Sequence, residues 1–170
     1  MVVVTGRHRR PASPVWSAAV VVLCWLAVLA VAPGRPPAGL VHDVALFVHL
    51  SSMVVGLGAV LLVDWFGLRW LAGRATFADV LRTAQGAHVP TWAGFIGLLV
   101  SGLFLGAPAG PKAIAVLIVG LNGIYAGMLL SRLSRCADPP TALLIRSAIA
   151  TVISQLAWWT AVVLGYLNSR

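Results

Sequence analysis

Five apolar stretches, each long enough to cross a bilayer, constrain this chain more than any other feature of its sequence. A spanning helix needs ~20 apolar residues, with a lower limit of ~17, to cross a hydrocarbon layer about 30 Å thick. The stretches cover about 15–32, 40–63, 89–106, 113–130 and 142–167. Within lipid only helices and closed barrels satisfy their own backbone, and unbroken apolar runs of this length are the helical pattern. The expected fold is all-α: a polytopic membrane helix bundle with five transmembrane helices. It forms one domain over 15–170, behind a basic leader at 1–14 expected on the cytoplasmic side. With 9% charged residues against 60% hydrophobic, a soluble surface of this size is excluded.

Proline-rich breaks separate the runs at Pro33-Gly34-Arg35-Pro36-Pro37, Ala107-Pro108-Ala109-Gly110-Pro111 and Asp138-Pro139-Pro140, where helices must end. The second run continues into Asp64-Trp65-Phe66-Gly67-Leu68-Arg69-Trp70-Leu71, an aromatic and arginine anchor at headgroup level. Between the second and third runs, Thr76-Phe77-Ala78-Asp79 is a capping box with Asp in place of Glu. It predicts a short interfacial helix with Phe77, Val80 and Leu81 toward lipid. Pro90 then suits the first turn of the third span, where a missing N–H costs nothing.

Charge sets the threading. With the amino terminus inside, Arg7, Arg9, Arg10, Arg69, Arg74, Arg82, Arg132, Arg135 and Arg146 fall inside, and only Arg35, Lys112 and Arg170 outside. That imbalance places the amino terminus in the cytoplasm and the carboxyl terminus outside. Ala30-Val31-Ala32 resembles a leader cleavage site, but the 18-residue run before it exceeds the ~7 to 15 of a signal peptide, so a retained span is expected. Eleven of the twelve basic residues are arginine, the usage of a GC-rich bacterial genome, and a bacterial plasma membrane is the expected location. The net charge of +8 sits in clusters at span ends, not in a patch interleaved with stacking aromatics. The lipid bilayer, not nucleic acid, is the expected partner.

A polar side chain inside lipid requires a partner or a function. At 100° per residue, His42, His49, Met53, Gly56, Val60 and Asp64 share one face of the second span, which should turn toward other helices. His49 is the one histidine firmly within a run. It offers a haem axial ligand, a copper ligand or a proton relay, or else a packing hydrogen bond to Ser52, a backbone carbonyl or a neighbouring helix. Asp64 and His88 end and begin adjacent spans on the same side, so they are placed to meet; the alternative is hydration or pairing with Arg69 or Arg82. On the fifth span Ser147, Thr151, Ser154, Trp158 and Gly165 share a face, with Gln155 beside it. The polar-path candidates are therefore His49, Ser52, Asp64, His88, Ser154 and Gln155. The metal candidates are His42, Asp43 and His49, although Asp43 is also explained by the helix dipole. Gly102 with Gly106, and Gly123 with Gly127, are GxxxG pairs suited to close packing within the chain, with another copy or with a partner subunit. Asn122 and Tyr125 lie opposite the second pair, which predicts a fourth helix that is either central or in contact with another subunit.

The stretch Phe47-Val48-His49-Leu50-Ser51-Ser52-Met53-Val54-Val55-Gly56-Leu57-Gly58-Ala59 resembles the early helices of uncharacterised bacterial multi-pass proteins, and is similar to the copper-resistance-D type of membrane domain. The resemblance covers about one helix. It implies a helical bundle concerned with metal or haem, with His49 as the carried position and haem or copper as the cofactor.

No Walker, Rossmann, HExxH, CxxC or nucleophile-elbow pattern occurs. The expected function is non-enzymatic, an accessory subunit or a small transport-related protein. The alternative is an electron-transfer protein associated with haem, copper or quinone through His49.

Overall fold

The computed structural model describes residues 13–31, 37–106 and 110–167. These residues form five helices, each long and apolar enough to span a membrane: α1 (Pro14–Val31), α2 (Leu40–Leu71), α3 (Phe77–Phe104), α4 (Pro111–Leu133) and α5 (Thr141–Leu167). The exposed residues include long rows of valine, leucine, isoleucine and tryptophan, as a surface solvated by lipid requires.

Helices α2 and α3 make one antiparallel hairpin and α4 and α5 another, and α1 lies against α3 and α4. The α2 to α3 turn is built from local signals. Gly73, at φ +69, takes the left-handed position after the helix. The amide of Arg74 bonds to the carbonyl of Arg69 at 2.7 Å, and that of Gly73 to Trp70 at 2.9 Å, which together satisfy the last carbonyls of α2. Thr76 then caps α3: its hydroxyl accepts from the Asp79 amide at 3.2 Å, and the Asp79 carboxylate accepts from the Thr76 amide at 2.9 Å.

The capping box is thus present, but the helix it starts is not a separate interfacial one. It continues through Pro90 as the first turns of α3. A proline removes one bond, here to the carbonyl of Gly86, an exposed residue. One residue on, the Thr91 hydroxyl donates to the Ala87 carbonyl at 2.8 Å, the kind of side-chain help that lets proline stay in membrane helices. Phe77 and Leu81 accordingly do not face lipid. They pack against the cluster of Leu129, Leu133, Leu143 and Ala150 at the arginine-rich end of the α4–α5 hairpin.

A second cluster, Val21, Phe95, Val119, Ala157 and Trp158, draws on α1, α3, α4 and α5 near mid-depth. Gly56 and Gly94 bring α2 and α3 into near contact there: a Cβ on Gly94 would lie 2.6 Å from both the Gly56 nitrogen and the Ser52 carbonyl oxygen. Gly97 makes room for the Ser52 side chain one turn further along. The Gly102 and Gly106 pair does not serve this purpose. A Cβ on Gly102 meets nothing within 4 Å, and Gly106, at φ +90, follows the end of α3. Helix α4 is central, touching α1, α3 and α5. The fully buried residues of α5 are Leu143, Ala150, Ala157 and Trp158; of the predicted face Trp158 is buried, Ser147, Ser154 and Gly165 are half-buried, and Thr151 is exposed.

Candidate functional site

The α2 stripe faces the bundle. His42, His49, Met53, Val60 and Asp64 are half-buried and Gly56 is buried. Its polar members divide into two groups with different partners.

In the half of the membrane nearer the start of α2, His49 Nδ1 lies 2.9 Å from the hydroxyl of Ser101 on α3. Ser101 is 2% exposed, and its hydroxyl also lies 2.6 Å from the Gly97 carbonyl. The single hydroxyl hydrogen belongs to the shorter contact. The ring then donates from Nδ1, and Nε2 carries the lone pair. Of the bonding partners expected for His49, a neighbouring helix is the one realised. Ser101 escaped the sequence reading, although Gly97-x-x-x-Ser101 and Ser52-x-x-x-Gly56 are small-residue pairs at the spacing that marks close helix packing.

The second group lies about 22 Å further along α2, at about 1.5 Å for each of fifteen residues. Here the Asp64 carboxylate accepts a hydrogen bond from Gln155 Nε2 on α5, and the Trp159 indole N–H donates to Gln155 Oε1 at 3.0 Å. The order of this chain is fixed by chemistry. Indole can only donate, so the amide oxygen must face Trp159, leaving the amide nitrogen for Asp64. Side chains lean toward the amino end of their own helix. On antiparallel helices Asp64 and Gln155 therefore lean toward each other, and the carboxylate is drawn up from the end of α2 into the span. The sole ion pair among the described residues is Arg82 with Asp79, at 2.7 Å on the surface. Asp64 is held by an amide, not by a cation.

His88 does not join Asp64. It lies edge-on to Trp92, with ring centroids 6.4 Å apart, and its Cε1 approaches the position a Cβ on Gly127 would take. It thus points toward α4, away from the α2–α5 seam. Ser154 is half-buried, and Ser52 packs at Gly97. Asp43 is exposed in the first turn of α2. Between the two polar groups, Gly56, Gly94 and the Trp158 ring pack tightly: a Cβ on Gly56 would sit 3.0 Å from Trp158. The polar residues form two half-sites with an apolar plug between them.

Among the described residues no three His, Cys, Asp or Glu side chains come together to hold a metal ion. His49 stands among them as a lone imidazole, its Nδ1 engaged with Ser101 and its Nε2 free. No protein-family model, curated protein or solved structure matches the chain.

Proposed function

We propose that this chain is a small, non-enzymatic, transport-related membrane protein whose two hairpins, α2–α3 and α4–α5, part and close at a seam governed by Asp64. The carrying observation is the Asp64, Gln155 and Trp159 chain across that seam. An ionisable side chain inside a membrane span is costly and so marks a functional position, and one bonded only by a neutral amide can gain or lose a proton without breaking an ion pair. Protonation removes the charge and adds a donor, which changes what the seam can hold. The Trp158 plug then separates His49 and Ser101 on one side from Asp64 and Gln155 on the other, the layout of a path closed at its centre. The arginine bias supports a cytoplasmic amino terminus, with the Asp64 half-site toward the cytoplasm and the bacterial plasma membrane as its home.

Spin labels at exposed Leu68→Cys and Arg146→Cys, in a background with Cys24 and Cys136 replaced, report the separation of the hairpins. In liposomes the wild type is expected to show two distances whose ratio changes between pH 5 and pH 9. Asp64→Asn is expected to show one distance independent of pH. A wild-type distribution that does not move with pH sinks the reading.

An accessory subunit is the second reading, favoured by Gly58 and Gly102, where an added Cβ meets nothing. These positions leave room for another helix backbone, from a second copy or a partner subunit. Recovery of the chain alone after mild-detergent extraction would exclude it.

A further inference from the structure

Helix α1 leans away from α4 toward the arginine-rich end of the bundle. At the opposite end the two are tied by the Trp25 indole, which donates to the Ala113 carbonyl at 2.9 Å. In the middle they are wedged together at Gly120, where an added Cβ would lie 2.7 Å from both Val21 and Phe95. Below that point the same glycine face opens. A Cβ on Gly123 would meet only the edge of Trp92 at 3.5 Å, and one on Gly127 only His88 at 3.6 Å. The result is a groove of about 710 Å³ between α1, α3 and α4. The Gly123 and Gly127 pair is therefore not spent on helix contact; it hollows one wall of the groove.

The lining changes character along its length. The deep part is apolar and aromatic, formed by Val20, Trp92, Ile124 and Met128. The mouth carries Arg132, Arg135 and His88 with the hydroxyls of Ser13, Ser17 and Ser131, and no carboxylate lines it. Neither arginine is ion-paired among the described residues. Guanidinium groups beside hydroxyls suit a phosphodiester, and an apolar slot running from them into the membrane suits an acyl chain. The chain's own leader is a poor occupant, because Arg7, Arg9 and Arg10 repeat the sign of the mouth.

We infer that this groove binds one anionic glycerophospholipid, with its phosphate at Arg132 and Arg135 and an acyl chain along Gly123, Gly127 and Trp92. The site is independent of the Asp64 seam, and its failure would leave that reading untouched.

The test uses the full chain, stripped of lipid in a neutral detergent and titrated with phosphatidylglycerol, with bound lipid counted by native mass spectrometry. One phosphatidylglycerol should be retained, at an affinity about tenfold or more above phosphatidylcholine. The exposed pair Arg132→Gln with Arg135→Gln should fall to the phosphatidylcholine level, while lysine at both positions should stay within about threefold of wild type. Gly123→Leu with Gly127→Leu keeps both arginines and should lose the lipid by filling the slot. Equal retention of phosphatidylcholine, or a glutamine pair that binds as wild type does, overturns the proposal. So does glycerol 3-phosphate competing as well as the lipid, since that would mark a site for a free anion.

Discussion

Replacing Gly94 by alanine should lower the stability of the bundle by about 1 to 3 kcal/mol, the usual cost of overfilling a packed interior. The reason lies in what the new methyl group would meet. Its nearest neighbours are the backbone atoms of Gly56 and Ser52, at 2.5 to 2.6 Å. A flexible side-chain tip could move aside, but a helix backbone moves only as a unit. Helices α2 and α3 would have to separate along the crossing, pulling His49 from Ser101 and Ser52 from Gly97. Gly102, two turns further along the same helix, is the matched control. Nothing lies within 4 Å of its added Cβ, so Gly102→Ala should be neutral or should stabilise by up to about 1 kcal/mol through helix propensity. Reversible unfolding in mixed micelles, followed by circular dichroism against rising SDS, measures both. Equal effects at the two positions would mean that the Gly56 and Gly94 crossing is not what holds this hairpin together.

The second large effect is expected at Trp158, which is 2% exposed and meets residues from α1, α3 and α4 within one cluster. In water-soluble proteins, cutting a buried aromatic to alanine costs about 3 to 5 kcal/mol. Part of that figure is transfer from water, which is absent when the separated helices already lie in lipid. What remains is lost dispersion contact and the unfilled cavity. The lower end, about 3 kcal/mol, is therefore the expected loss for Trp158→Ala in the same SDS titration, and Trp158→Phe should lose less. A second consequence is local. With the plug gone, hydrogen exchange at the α2 amides between His49 and Asp64 should quicken in Trp158→Ala and remain slow in the wild type. Unchanged exchange would show that some other group seals the centre.

The spans were legible because bilayer thickness imposes a length on apolar runs that no other environment demands. What the runs could not give was the true extent of α2 and α3. A helix does not stop at the hydrocarbon boundary, and its backbone bonding continued through Asp64 to Leu71 and back from Val89 to Phe77. Pro90 read as a start because a proline suits a first turn; with Gly86 exposed opposite it, the interior position is cheap as well. The α2 stripe from His42 to Asp64 was legible from angular projection alone. Its partners were not, since Ser101 and Gln155 are set by which helices neighbour α2 and at what height. The pairing of Asp64 with His88 rested on chain proximity at a turn, whereas the side chains leave their helices on different sides. For the glycines, the sequence offered more GxxxG-like pairs than the fold uses for contact. Ser52 with Gly56 and Gly97 with Ser101 carried the packing, and a polar hydroxyl in each pair hid the pattern.

The placement of α1 bears on how the chain can be assembled. Its partners are α3 and α4, and it shares no substantial surface with α2, its neighbour in sequence. A chain made from its amino end delivers α1 to the bilayer before either partner exists, so α1 must be soluble in lipid unaided. It carries no charged residue and only Ser17 and Cys24 as polar interruptions. Helix α3 is under no such demand. It arrives directly after α2, folds back on it through the capped turn, and can bring Thr83, Gln85, His88 and Thr91 with it. Of these two helices, the one that must wait for its companions is the one nearly free of polar residues.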